Sequence, residues 1–239
     1  MSLSLTKVQV VDAGKRWRGR AQFLVVAKIG SCRVGRWRSF SDFKRLAQTL
    51  WDVDDRLSRI AGGVSLFVVA FAVYPIVAQA VNAEVREVPA LGPDADMPYG
   101  HDLEAFLEHI DENTGVVFIA SPNNPTGTWL APEAIEAFMQ SVPAGVVVVL
   151  DEAYLEYQAD SERPDSREWL ERFENLIVTR TFSKIYGMAG LRVGYALTSP
   201  QVADWINRIR QPFNVNTVAL YCAQAALSDE EFVIYSTQT

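Results

Sequence analysis

Residues 146–157 read VVVVLDEAYLEY, an unbroken β-branched and aliphatic run that stops abruptly on two carboxylates and a tyrosine. An apolar run without polar alternation is the pattern of a strand covered on both faces, which is the situation of a strand inside a parallel sheet. In such sheets ligands sit beyond the carboxyl ends of the strands. The position of Asp151, directly after the run, therefore makes it a candidate for chemistry as well as for a turn.

The same alternation extends outward from this stretch. Residues 83–90, 115–121, 145–151, 176–182 and 191–199 read as strands, and residues 101–110, 132–142 and 166–175 carry helical spacing, the second of them opening on a proline. Apolar strands separated by amphipathic helices predict an α/β fold, a three-layer α/β/α arrangement around a mostly parallel sheet. Residues 64–81, VSLFVVAFAVYPIVAQAV, are about long enough to span a bilayer. They also contain Ser65, Pro75 and Gln79, and the preferred reading is a strand at SLFVVA followed by a helix with its proline near the first turn.

The chain has 239 residues, 49% apolar and 21% charged, which is enough to bury a sizeable core. Its net charge of −7 conceals two unlike parts: residues 1–63 sum to +8 and residues 64–239 to −15. This asymmetry predicts a boundary near residues 60–65, with a basic segment at 1–63 and the α/β part at 64–239. Cys32 and Cys222 fit no metal or redox spacing and read as free thiols of a reducing compartment; His101 and His109 have no cysteine partners, so no metal site is expected. The amino terminus lacks the apolar core and cleavage site of a secretory signal, and a cytoplasmic location is expected.

Three motifs stand at predicted strand ends: PNNPTG at 122–127, DEAY at 151–154 and TFSKIYGMAGLR at 181–192. Singly they read as a turn, a helix cap and a solvated loop. Together they offer what pyridoxal phosphate requires: a lysine for a Schiff base (Lys184), a carboxylate for the pyridine nitrogen (Asp151) and a cation for the phosphate (Arg192). A close charge pair at Asp151 would contribute about 4 kcal/mol at an intermediate effective dielectric.

SPNNPTG, DEAY and TFSKIYGMAGLRVGYAL, in this order and spacing, resemble the fold-type I, class I and II aminotransferases, and in particular their histidinol-phosphate aminotransferase branch. The resemblance runs from about Ser65 to about Phe232 and includes FAVYPIVAQAVNA upstream and RQPFNVNTVALYCAQAALSDEEF downstream. It implies the large domain of that fold and transamination between histidinol phosphate, or a similar amino compound, and a 2-oxo acid such as 2-oxoglutarate. Carried over by position, it implies that Asn124 and Tyr154 donate to the phenolic oxygen of the ring, that Asp151 takes the pyridine nitrogen and that Lys184 is both the covalent anchor and the proton shuttle. Ser183 and Arg192, with Thr181 nearby, would hold the phosphate, and Phe71 would stack on the ring unless it is a core aromatic. Tyr74 is given a structural role or a place on the substrate side. A homodimer is implied for a complete member. The family's Gly-Ser-Asn-Glu-like turn is not found, and the chain stops after VIYSTQT, so slow or absent turnover is expected.

In the basic segment, residues 7–14, 21–30 and 32–40 read as strands and 41–53 as a helix capped by Ser41 or Asp42. RSFSDF at 38–43 resembles part of the signature of a phox-homology domain: Arg38, Phe40 and Phe43 fit, whereas Ser39 stands where that family's phosphoinositide-pairing arginine is expected. The resemblance implies an alternative reading, an adaptor at an anionic membrane surface. The other reading of the segment is a basic sheet and helix without a lipid role.

Overall fold

The computed structural model describes residues 28–29, 32–33, 64–67, 71–210 and 212–238. Eight strands form one sheet: β1 (Lys28–Ile29), β2 (Cys32–Arg33), β3 (Val64–Phe67), β4 (Glu84–Glu87), β5 (Thr114–Ala120), β6 (Val147–Asp151), β7 (Leu176–Thr181) and β8 (Gly194–Thr198), in the order β1-β2-β8-β7-β6-β5-β3-β4. From β4 through β7 every pairing is parallel, and β8, β2 and β1 add antiparallel strands at the β7 edge. The helices are α1 (Val73–Ala80), α2 (Leu103–His109), α3 (Pro132–Ser141), α4 (Ser166–Arg172), α5 (Pro200–Ile209), α6 (Thr217–Ala226) and α7 (Glu230–Thr237).

The α/β class and the mostly parallel sheet predicted from the sequence are thus observed. Residues 64–81 contain a four-residue strand and the eight-residue α1, with Pro75 in its first turn, where a missing N–H costs nothing. Among the described residues no helix is long and apolar enough to cross a membrane. The predicted strand at 191–199 begins only at Gly194, because residues Ala189–Leu191 form a single 3-10 turn and Arg192 adopts left-handed backbone angles, φ 55° and ψ 53°. Helices α5, α6 and α7 complete the described carboxy-terminal region; their N-terminal amides are capped by the side chains of Ser199, Asn216 and Asp229. The predicted strand 7–14, the helix 41–53 and the RSFSDF motif lie outside the described residues. Of the basic segment, β1 and β2 are described, and β2 joins the sheet through the pairing of Arg33 with Thr198.

Because successive side chains of a strand point to opposite faces, the sheet sorts its residues by parity. Val148, Leu150 and Val178, with Val117 and Ile119, pack against Phe106, Ile135, Phe138, Met139, Trp169 and Leu170 of α2, α3 and α4. The opposite face carries Val147, Val149 and Ile177 under Val202 and Ile206 of α5, and Phe118 and Ala120 beside Tyr74 of α1. Each large apolar side chain buried in these layers contributes about 1.5–3 kcal/mol, so the sheet is held from both sides. Ala120 pairs with Asp151 and Asp151 with Thr179, which brings the carboxyl ends of β5, β6 and β7 level.

Candidate active site

At those level strand ends an open cleft of about 320 Å3 is lined by all eight residues singled out in the sequence: Phe71, Asn124, Asp151, Tyr154, Thr181, Ser183, Lys184 and Arg192. A volume in this range suits a small cofactor or ligand. Asp151 is the last residue of β6, and its parity puts it on the α1 and α5 face with Thr179 and Thr181 of β7. Asn124 comes from the loop after β5, Tyr154 from the loop after β6, and Ser183, Lys184 and Arg192 from the loops between β7 and β8.

Both oxygens of the Asp151 carboxylate are engaged on the protein side. Oδ2 accepts from the Tyr74 phenol at 2.7 Å, Oδ1 accepts from the Ala153 N–H at 3.1 Å, and the Thr179 hydroxyl adds a third hydrogen bond. Burial pushes its carboxyl above the ordinary aspartate value, while these donors and the Lys184 ammonium pull it back down. The contact with Tyr74 could not be read from the sequence, because it joins residues 77 apart and nothing in FAVY marks the second ring as a donor.

Around the aspartate the remaining groups form two sides. Asn124 Nδ2 donates to the Tyr154 hydroxyl at 3.3 Å, and Lys184 Nζ lies 4.9 Å from the centre of the Tyr154 ring, an ammonium held against an aromatic face. On the other side the Ser183 N–H donates to Thr181 Oγ1 at 3.0 Å, and the Arg192 guanidinium donates to Ser183 Oγ at 3.4 Å and to the Ala189 carbonyl. Two hydroxyls and a guanidinium thereby share one end of the cleft. Phe71 is 45% exposed at the mouth, with its ring edge-on to Tyr74 at 6.3 Å, which removes the core-aromatic reading of that residue. Gly187 holds the lysine loop in a turn at φ 64°, its N–H donating to the Lys184 carbonyl at 2.8 Å, and Phe232 of α7 comes within 3.5 Å of the place a Cβ would occupy there.

Behind the cleft, parity turns Glu152 and Arg180 toward α4. Glu152 has no exposed surface; Oε1 accepts from Ser166 Oγ, and Oε2 accepts from Arg180 Nε and Nη2, both at 2.7 Å. This pair ties β6 to β7 one residue from Asp151 and one from Thr181. Removing one partner of a buried ion pair leaves an uncompensated charge, so Arg180→Leu is expected to cost roughly 3–5 kcal/mol in urea unfolding. Burial raises the Glu152 carboxyl above its ordinary value, with Arg180 and Ser166 opposing. A carboxyl raised in the folded state favours folding more as the solution becomes more acid, because the folded chain takes up the proton first. The deficit of the variant is therefore expected to be largest at neutral pH and to shrink as the pH falls toward the ordinary glutamate range; a deficit independent of pH would count against a charge left unpaired.

Comparison with known proteins identifies the family. The family model described as aminotransferase class I and II matches residues 48–239. The chain belongs to the class I and II aminotransferases. Among relatives of this aminotransferase chain, histidinol-phosphate aminotransferase 2 of Pseudomonas fluorescens strain Pf0-1 is 58% identical over 169 residues, 71% of this chain and 44% of that protein. The histidinol-phosphate aminotransferase 2 of Methylococcus capsulatus is 53% identical over 169 residues, 71% of this chain and 46% of that protein. The crystal structure of histidinol-phosphate aminotransferase from Sinorhizobium meliloti in complex with pyridoxal-5'-phosphate superposes with a TM-score of 0.69 at 32% identity, covering 81% of this chain and 50% of that one. This aminotransferase chain thus spans about half the length of the relatives it matches.

Proposed function

We propose that this chain binds pyridoxal 5'-phosphate and uses it for transamination between histidinol phosphate, or a similar amino compound, and a 2-oxo acid such as 2-oxoglutarate. The observation that carries the reading is the convergence on one cleft of an engaged carboxylate, a lysine, an amide–phenol pair and a hydroxyl–guanidinium end. The donor set fits the group: one acceptor for a ring N–H, donors for a phenolate, and a guanidinium with two hydroxyls for a phosphate dianion. When bound, pyridoxal phosphate supplies an aldehyde for amine capture and a ring that accepts electron density from the carbon losing its proton.

The residues of the chain divide the remaining work. Lys184 Nζ would be the nucleophile toward that aldehyde and the base that takes and returns the proton. Asp151 holds a proton on the ring nitrogen by pairing with it from within the sheet. Asn124 Nδ2 and the Tyr154 hydroxyl donate toward the phenolic oxygen, and Phe71 at the mouth covers one ring face. Arg192, Ser183 and Thr181 hold the phosphate, the planar guanidinium offering paired donors. The small-molecule partners are an amino donor and a 2-oxo acid, and a second copy of the chain is the macromolecular partner in this reading.

Two measurements test it. Added pyridoxal phosphate is expected to give a visible absorbance band that borohydride bleaches, leaving the label on the Lys184 peptide; histidinol phosphate should discharge the band and 2-oxoglutarate restore it. A label on another lysine would overturn the reading. Arg192→Ala removes charge-assisted hydrogen bonds of about 1.5–3 kcal/mol, so cofactor affinity is expected to fall roughly 10- to 100-fold by equilibrium titration, with free inorganic phosphate competing less well than in the parent chain.

A further inference from the structure

Tyr74 stands in a position that packing alone does not explain. Its ring is 6% exposed and lies parallel to Phe118, 5.0 Å between centres and 12° between planes, so the ring plane is set by a β5 side chain. With the plane fixed, the phenol oxygen falls 2.7 Å from Asp151 Oδ2. A phenylalanine would fill the same space and keep the same stacking; what the hydroxyl adds is the hydrogen bond to the Asp151 carboxylate. The other carboxylate oxygen is engaged by the Ala153 N–H. With the Thr179 hydroxyl as a third donor, three of the four carboxylate lone pairs are used on the protein side and one is left.

We propose that Tyr74 is a positioning residue for Asp151, its O–H fixing the rotation of the carboxylate so that a free lone pair faces the cleft as an acceptor. The proposal rests on the cofactor reading of the site, in which that lone pair meets a ring N–H. Tyr74 can serve as a permanent donor because burial, then the neighbouring Asp151 charge, push its phenol far above the ordinary tyrosine value. The groups facing Asp151 are Tyr74 from α1, Thr179 from β7, Lys184 from the loop after β7, and Glu152, which Arg180 neutralises. Tyr154, from the loop after β6, acts electrostatically on Tyr74. Without the phenol donor, burial acts on the carboxylate with less opposition, and Asp151 takes up a proton at a higher pH. A protonated Asp151 is a poorer acceptor for a ring N–H, so the acid limb of cofactor binding should move upward.

The test is Tyr74→Phe in the full 239-residue chain, alone and combined with Asp151→Asn. Titration with pyridoxal phosphate, followed by visible absorbance, is expected to give roughly tenfold weaker binding near neutral pH for the single variant. The acid limb of the binding profile is expected to shift up by about one pH unit. In the Asp151→Asn background the same substitution should change affinity less than about twofold, since the charged acceptor is gone. Equal losses in both backgrounds, or an unshifted acid limb, would overturn the proposal and leave Tyr74 as packing. A second readout needs no cofactor: in urea unfolding the cost of Tyr74→Phe should be greatest at neutral pH and fall as Asp151 protonates, and a pH-independent cost overturns the proposal in the same way. If the parent chain gives no Lys184-dependent band while this pH-dependent cost is present, the cofactor reading fails and the Tyr74–Asp151 coupling stands by itself.

Discussion

Lys184→Ala is expected to abolish the visible band formed with pyridoxal phosphate and to slow the half-reaction with the amino donor by at least roughly 10²–10⁴-fold, the range that a positioned acid–base group contributes. The geometry gives the reason. Lys184 leaves the β7 strand end on a loop pinned by the Gly187 turn, and its ammonium rests against the Tyr154 ring within the same cleft as Asp151. Among the described residues Lys184 is the one lysine lining that cleft. Cofactor affinity should fall as well, but measurable binding should survive through Asp151 and the Arg192 end. Stopped-flow absorbance on the variant checks both parts. A band that persists unchanged would remove Lys184 from the role proposed for it.

Asp151→Ala is expected to have an effect of similar size by a different route. In the proposed reading the buried carboxylate would pair with a protonated ring nitrogen, and at an intermediate effective dielectric a close charge pair is worth about 4 kcal/mol, or roughly 10³-fold in rate if the interaction is made fully in the transition state. Capture by Lys184 does not depend on that pair, so the visible band should still form and still be bleached by borohydride. Asp151→Asn separates charge from shape: it keeps a group that can hydrogen-bond Tyr74 and should lose nearly as much rate as the alanine variant. A half-reaction within a few-fold of the parent would sink the assignment.

Much of this site was legible before the fold. The run at residues 146–150 announces a buried strand because nothing polar interrupts it, and the three strand-end motifs announce a shared edge because parallel strands deliver their following loops to one side. Lys184, Asp151 and Arg192, chosen on that basis, line the cleft, and so do Phe71, Asn124, Tyr154, Thr181 and Ser183, which the family resemblance assigned. Less legible were contacts set by packing between distant segments. Tyr74 reaches Asp151 because α1 lies on the β5 face, an arrangement that depends on Phe118 and Ala120 and leaves no mark in local spacing. Arg192 falls within the strand predicted from residue 191, yet the 3-10 turn before it and its left-handed backbone delay the strand by three residues, and its guanidinium reaches Ser183. The pairing of Glu152 with Arg180 was equally hidden, since a carboxylate next to Asp151 looks like a second candidate for the cleft until strand parity turns it away.

That parity makes the two adjacent carboxylates non-equivalent by position alone. A shift of one residue in the pairing of β6 with its neighbours would exchange them, presenting the longer glutamate to the cleft and turning the shorter aspartate toward α4, where Glu152 now meets Arg180 and Ser166. Such a chain would keep the same composition and the same short motif, and would still show an acid at the strand end, while losing both the partner of Tyr74 and the tie between β6 and β7. An insertion or deletion of a single residue anywhere in residues 146–151 should therefore be far more damaging than most substitutions there, and a transplant of DEAY into another parallel sheet will work only if the recipient supplies a phenol on one side and an arginine on the other.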